Sequence, residues 1–110
     1  MRIALDLGHG VGQDRGADGR SFGGCLEEEI INAIGGNLVV HLRNLGHEVI
    51  EVRPSCTVGV NESLNYRTDT ANQYGCDLYI SLHANAGQGT GTEVFTYNGE
   101  ATEKATNVLN

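Results

Sequence analysis

The 110-residue sequence lacks a basic cluster, a paired cysteine motif, an apolar run of membrane-spanning length and any internal repeat or low-complexity tract. Seven Lys plus Arg stand against fourteen Asp plus Glu, a formal net charge of -7. Nucleic-acid affinity depends on neutralising phosphates, so this balance argues against a polyanion as the main partner. Cys25, Cys56 and Cys76 are odd in number and widely spaced, which argues against a disulfide framework and for three ordinary thiols in a reduced compartment. Cys25 lies close to Glu27 and has the chemistry of a soft metal ligand, but no second cysteine accompanies it. A transmembrane helix needs ~20 consecutive apolar residues, and no stretch approaches that, so no membrane partner is expected. The first six residues run straight into a strand-like pattern, without the charged, apolar and cleavage regions of a signal peptide.

What is present reads as one soluble globular domain over residues 1–110, with 39% hydrophobic and 19% charged residues. Residues 3–7 form a short apolar run bounded by glycine, the pattern of a buried strand. Residues 8–24 hold seven glycines in seventeen positions, with Asp14, Asp18 and Ser21 as turn formers, and predict a long loop. From Glu27 the period changes: Ile30, Ile31, Ile34, Leu38, Leu42 and Leu45 recur at helical steps, and Gly46 supplies the stop. Glu27, Glu28 and Glu29 crowd the first turn, where the helix dipole favours negative charge. Gly35 and Gly36 weaken helix propensity and predict a close packing contact. Residues 47–53 read as a second strand ended by Pro54, residues 61–75 as a second helix with Arg67 near its middle, residues 78–82 as a third strand and residues 92–97 as a fourth.

Strands alternating with helices imply an α/β fold, a mainly parallel sheet flanked by helices and joined by right-handed crossovers. Residues 100–110 have the composition of a helix that has only begun, so the fold is expected to be C-terminally incomplete. The first and third strands both end on a histidine followed by a small residue, at His9 and His83. As neighbours in one sheet they would deliver two imidazoles to the rim where open α/β sheets bind ligands. A catalytic zinc site commonly joins two histidines to one carboxylate and leaves a position open. Glu27 sits on the stripe through Ile30 and Ile34 and is the third ligand on that reading. Glu28 competes, because a one-residue rotation would bring Ile31, Gly35, Val39 and Leu42 inward instead; Glu29 should point outward.

Taken singly, each residue has an ordinary explanation. A histidine after a strand is more often a hydrogen-bonded loop residue than a ligand, and acids in a helix's first turn are commonly dipole partners alone. No compact spacing such as H-E-x-x-H ties the three together. Gly8-His9-Gly10-Val11-Gly12 brushes against the dinucleotide fingerprint, but the spacing is G-x-G-x-G and no helix opens directly after it. His41 and His47 read as surface or strand-start residues.

Five segments in order carry a family likeness: Leu5-Asp6-Leu7-Gly8-His9-Gly10, Asp14-Arg15-Gly16-Ala17, the Glu27 helix leading to Leu45-Gly46-His47-Glu48-Val49, Arg67 with Ala71-Asn72, and Ser81-Leu82-His83-Ala84-Asn85. Gly91-Thr92-Glu93-Val94-Phe95 continues it. Together they resemble the N-acetylmuramoyl-L-alanine amidases of the Amidase_3 type across essentially the whole chain. The resemblance implies a zinc-exopeptidase-like fold and a zinc hydrolase that cuts the amide between N-acetylmuramic acid and the L-alanine of the stem peptide, with peptidoglycan as partner. The ligands it implies are His9, His83 and a helix-start glutamate, Glu27 on best match. An asparagine four residues after the family's acid would instead favour Glu28, through Asn32.

The general base implied by the resemblance is a glutamate on a late strand beyond residue 110, and no position here matches it; Glu93 is the nearby acid on a predicted strand. The chain is thus expected to be a truncated cell-wall hydrolase that finds its base internally or from a partner copy, one piece of a split hydrolase whose remainder is a separate C-terminal fragment, or an inactive zinc- or wall-binding fragment. Missing strands would expose apolar surface, predicting self-association and lower stability than a full domain. With no signal peptide, the expectation is cytoplasmic synthesis and action on the cell wall after release, by phage lysis or non-classical export.

Overall fold

The computed structural model describes residues 1–84 and 90–96. Strand β1 (Arg2–Leu7) is followed by a long loop containing one 3-10 turn at Arg20–Phe22, then helix α1 (Glu27–Asn44), strand β2 (Glu48–Glu51), helix α2 (Val60–Gln73) and strand β3 (Leu78–Leu82). The three strands form one parallel sheet in the order β2-β1-β3. The first strand in sequence is therefore the middle one, and the two histidine-bearing strands are neighbours.

Strand alternation decides what faces each helix. Leu5 and Val49 point to one side and pack with Val39 of α1, joined by Leu7, Leu38, Leu42, Ile80 and Leu82. Ala4 and Val52 point to the other side and pack with Ala71 of α2, joined by Ile50 and Cys76. Both helices end in the same hydrogen-bonded stop. In α1, Gly46 N–H donates to Arg43 O and His47 N–H to Leu42 O; in α2, Gly75 N–H donates to Asn72 O and Cys76 N–H to Ala71 O. The glycines supply the positive φ this motif needs, 89° at Gly46 and 61° at Gly75.

The buried face of α1 is Glu27, Ile31, Gly35 and Val39, at strict four-residue steps. This differs from the expected stripe: Ile34 is 51% exposed and Leu45 73% exposed. Gly35 is the reason, since a Cβ there would fall inside the Leu7 side chain. The helix closes on β1 through that missing side chain, which turns Ile34 outward; Gly36 meets nothing and needs no such contact. Residues 92–96 are not a strand, contrary to expectation. Tyr97 and the helix expected over residues 100–110 lie outside the described residues.

Candidate metal centre

The register Leu7↔Leu82 brings the ends of β1 and β3 level, and Gly8 N–H donates to Leu82 O at 3.1 Å. One residue on, His9 and His83 leave the sheet at the same rim, their ring centroids 5.0 Å apart and their planes perpendicular. His9 does so in the left-handed region, at φ 55°. Glu27, the first residue of α1 and 5% exposed, reaches between them. Its Oε2 lies 3.3 Å from His9 Nε2 and its Oε1 lies 3.2 Å from His83 Nδ1. One potential ligand atom from each residue lies within 4.8 Å of the others, the one such cluster among the described residues.

The loop before α1 and the segment after β3 each fix one oxygen of the Glu27 carboxylate. Ala17 N–H donates to Oε2 at 2.9 Å and Ala84 N–H to Oε1 at 2.8 Å, while Glu27 N–H donates back to Ala17 O at 2.8 Å. Burial pushes the carboxyl pKa up, but the two amide donors and the adjacent His9 and His83 outweigh it and hold the group below its ordinary 4.5. Gly16 leaves the room required: a Cβ there would fall 2.6 Å from Glu27 Oε2 and 2.7 Å from His9 Cδ2. Glu28 turns away to pair with Arg15, 2.5 Å from its Nε, and Glu29 accepts from Leu26 N–H at 3.0 Å. Cys25 is exposed and not in the cluster, and His47 bonds the N-terminal amine at the opposite end of β1.

Two arginines hold the turn that carries His9. Arg53 donates to Leu7 O at 2.9 Å and Gly8 O at 3.0 Å; Arg67 donates to Leu7 O at 2.7 Å and His9 O at 2.8 Å. Arg67 is 3% exposed and pairs with Asp6 Oδ1 at 2.6 Å. Asp6 shares the α2 side of the sheet with Ala4, and its Oδ2 accepts from Tyr79 Oη at 2.8 Å and Ser81 Oγ at 2.9 Å. The sequence reading missed this support. A lone acid inside an apolar strand, with an arginine on a following helix, was the available signal. A cavity of about 210 Å³ opens beside the histidines, with Asp14, Val60, Leu64 and Arg67 also in its wall. In the glycine-rich segment the Gly8 and Gly10 amides are engaged by the Leu82 and Asp14 carbonyls and are not open to a phosphate.

Residues 3–109 match the profile of the family described as N-acetylmuramoyl-L-alanine amidase. The chain belongs to the N-acetylmuramoyl-L-alanine amidase family. Among relatives of this amidase family, it is 38% identical over 97 residues to the sporulation-specific N-acetylmuramoyl-L-alanine amidase of Bacillus subtilis, covering 88% of this chain and 36% of that protein. It is 36% identical over 102 residues to N-acetylmuramoyl-L-alanine amidase CwlM of Bacillus licheniformis, covering 90% of this chain and 37% of that one. The chain thus spans little more than a third of the length of these amidases. The amidase fold itself is seen in the solved structure of AmiC2 of Nostoc punctiforme, with a TM-score of 0.62 and 29% identity over 77% of this chain and 44% of that one. No helix among the described residues is long and apolar enough to cross a membrane.

Proposed function

We propose that His9, Glu27 and His83 hold a zinc ion and that the chain hydrolyses the amide between N-acetylmuramic acid and L-alanine in peptidoglycan. The observation that carries this reading is the convergence of two imidazoles and one carboxylate within 4.8 Å at the rim of a parallel sheet. Two nitrogens and one oxygen are a donor set that catalytic zinc takes, with a position left open. The names of the related amidases support the substrate. Zinc, when bound, supplies Lewis acidity toward a carbonyl oxygen and makes water a nucleophile near neutral pH.

The chain's own contribution is positioning. Glu27 is kept in its anionic, ligating form by the Ala17 and Ala84 amides, and the Arg53 and Arg67 clamps fix the backbone from which His9 projects. The cavity beside the histidines gives the scissile region a place to sit, with Val60 and Leu64 as its apolar wall.

A second reading, a zinc-binding unit without turnover, is favoured by one observation. Amide hydrolysis needs a group to take the proton of the attacking water and return it to the leaving amine. Both carboxylates that the described residues contribute to the cavity wall are engaged: Asp6 by Arg67, Tyr79 and Ser81, and Asp14 by His9. Zinc content and release of L-alanine-linked peptides from purified peptidoglycan, measured on one sample with His83→Ala as control, separate the two readings. Bound zinc with His83-dependent release supports hydrolysis, and bound zinc without release supports the second reading. Absence of zinc overturns both.

A further inference from the structure

Asp14 reads in the sequence as a turn former, yet its Oδ1 lies 2.8 Å from His9 Nδ1. The opposite ring nitrogen, Nε2, is the one near Glu27. The turn is built to bring this about. Gly10 N–H donates to Asp14 O at 2.7 Å and Asp14 N–H to Val11 O at 3.0 Å, and Val11 and Asp14 form an isolated antiparallel bridge. Val11 is 5% exposed, so the turn is anchored to the body of the protein. Five residues after His9, the chain has folded back to place a carboxylate against the histidine's outer edge.

An ionised carboxylate only accepts hydrogen bonds, so two carboxylates compete for the proton of one neutral imidazole. The distances decide between them: 2.8 Å to Asp14 against 3.3 Å to Glu27. Glu27 Oε2 already accepts the Ala17 amide, whereas the contact to His9 is the side-chain hydrogen bond that Asp14 makes. We propose that Asp14 is a positioning residue: it accepts from His9 Nδ1–H and so fixes the tautomer whose bare Nε2 faces Glu27 and the metal. Partners of this kind orient a ligating ring, and their loss typically lowers metal affinity ~10–100-fold. The identity of the cation rests on the zinc reading; the tautomer is a property of the metal-free chain.

The test compares wild type, Asp14→Asn and Asp14→Ala, each shown to be folded by circular dichroism. None of the main-chain bonds of the turn uses the Asp14 side chain, and asparagine keeps a carbonyl oxygen to accept from Nδ1–H. Long-range ¹H–¹⁵N spectra of the metal-free proteins at alkaline pH, with His9 assigned through His9→Gln, read the tautomer. Wild type and Asp14→Asn should carry the proton on Nδ1, and Asp14→Ala should move it toward Nε2. In competition with a chromophoric chelator, Asp14→Ala should bind zinc ~10–100-fold more weakly, with Asp14→Asn recovering most of the loss. An unchanged His9 tautomer in Asp14→Ala overturns the proposal, as does unchanged zinc affinity. A wild type that shows the tautomer pattern but takes up no zinc defeats the zinc reading and leaves Asp14 as the residue that orients His9.

Discussion

Replacing Arg67 by alanine removes a guanidinium that donates to Ser63 Oγ, Asp6 Oδ1, Leu7 O and His9 O. Leu7 O keeps Arg53 as a second donor, and the other oxygen of the Asp6 carboxylate, Oδ2, keeps Tyr79 and Ser81. Asp6 Oδ1 and His9 O lose the donor that Arg67 provides. Breaking a buried ion pair from one side costs ~3–5 kcal/mol, because the remaining charge stays buried. The two hydroxyls on Asp6 place the loss toward the lower end, about 3 kcal/mol. Small domains have ~5–15 kcal/mol in total, so a large fraction of the stability is at stake. Urea unfolding of the metal-free chain should show the midpoint falling by ~1–3 M for an ordinary m-value of ~1–3 kcal/mol/M. The Asp6→Ala/Arg67→Ala double variant should be less destabilised than the sum of the singles, since it leaves no orphaned charge. A loss below about 1 kcal/mol for Arg67→Ala, or strict additivity in the double variant, would refute the buried pair as the clamp of the His9 turn.

Gly16→Ala should weaken zinc binding at least ~10-fold by chelator competition, because its Cβ would crowd both Glu27 and His9. It should also cost about 1–2 kcal/mol of stability, since Gly16 sits at φ 73°; unchanged affinity would contradict the placement of Glu27. Glu27 titrates below its ordinary 4.5 in the folded chain, so its contribution to stability is present above that value and is lost as pH falls through the lower, folded one. The stability difference between metal-free wild type and Glu27→Gln should therefore narrow on acidification below about pH 4.5, and a difference that widens would reverse the sign.

The strands and helices that frame the centre were legible because their patterns are strong: apolar runs at residues 3–7 and 78–82, helical periodicity after Glu27, and glycine stops. What placed Glu27 was less legible. Periodicity alone attaches Glu27 to Ile30 and Ile34, and attaches Glu28 to Ile31, Gly35 and Val39. The buried face instead joins Glu27 to Ile31, Gly35 and Val39. An apolar count treats glycine as a gap, whereas packing against Leu7 makes Gly35 the point of closest approach. The polar support was hidden for a related reason. Asp6, Arg67 and the pair Tyr79 and Ser81 lie far apart in sequence and meet through strand register and the crossover of α2, neither of which a local pattern encodes. Asp14 has an adequate local explanation as a turn former, and that explanation concealed its contact with His9.

X-ray absorption at the zinc edge, on the purified chain loaded with zinc and freed of excess, addresses the metal centre most directly. Ligation by His9, Glu27 and His83 predicts one zinc per chain with nitrogen and oxygen scatterers at ~2.0–2.2 Å. A sulfur shell at ~2.3 Å would put a cysteine on the metal, and a chain that retains no zinc would have no such centre; either result would contradict the assignment.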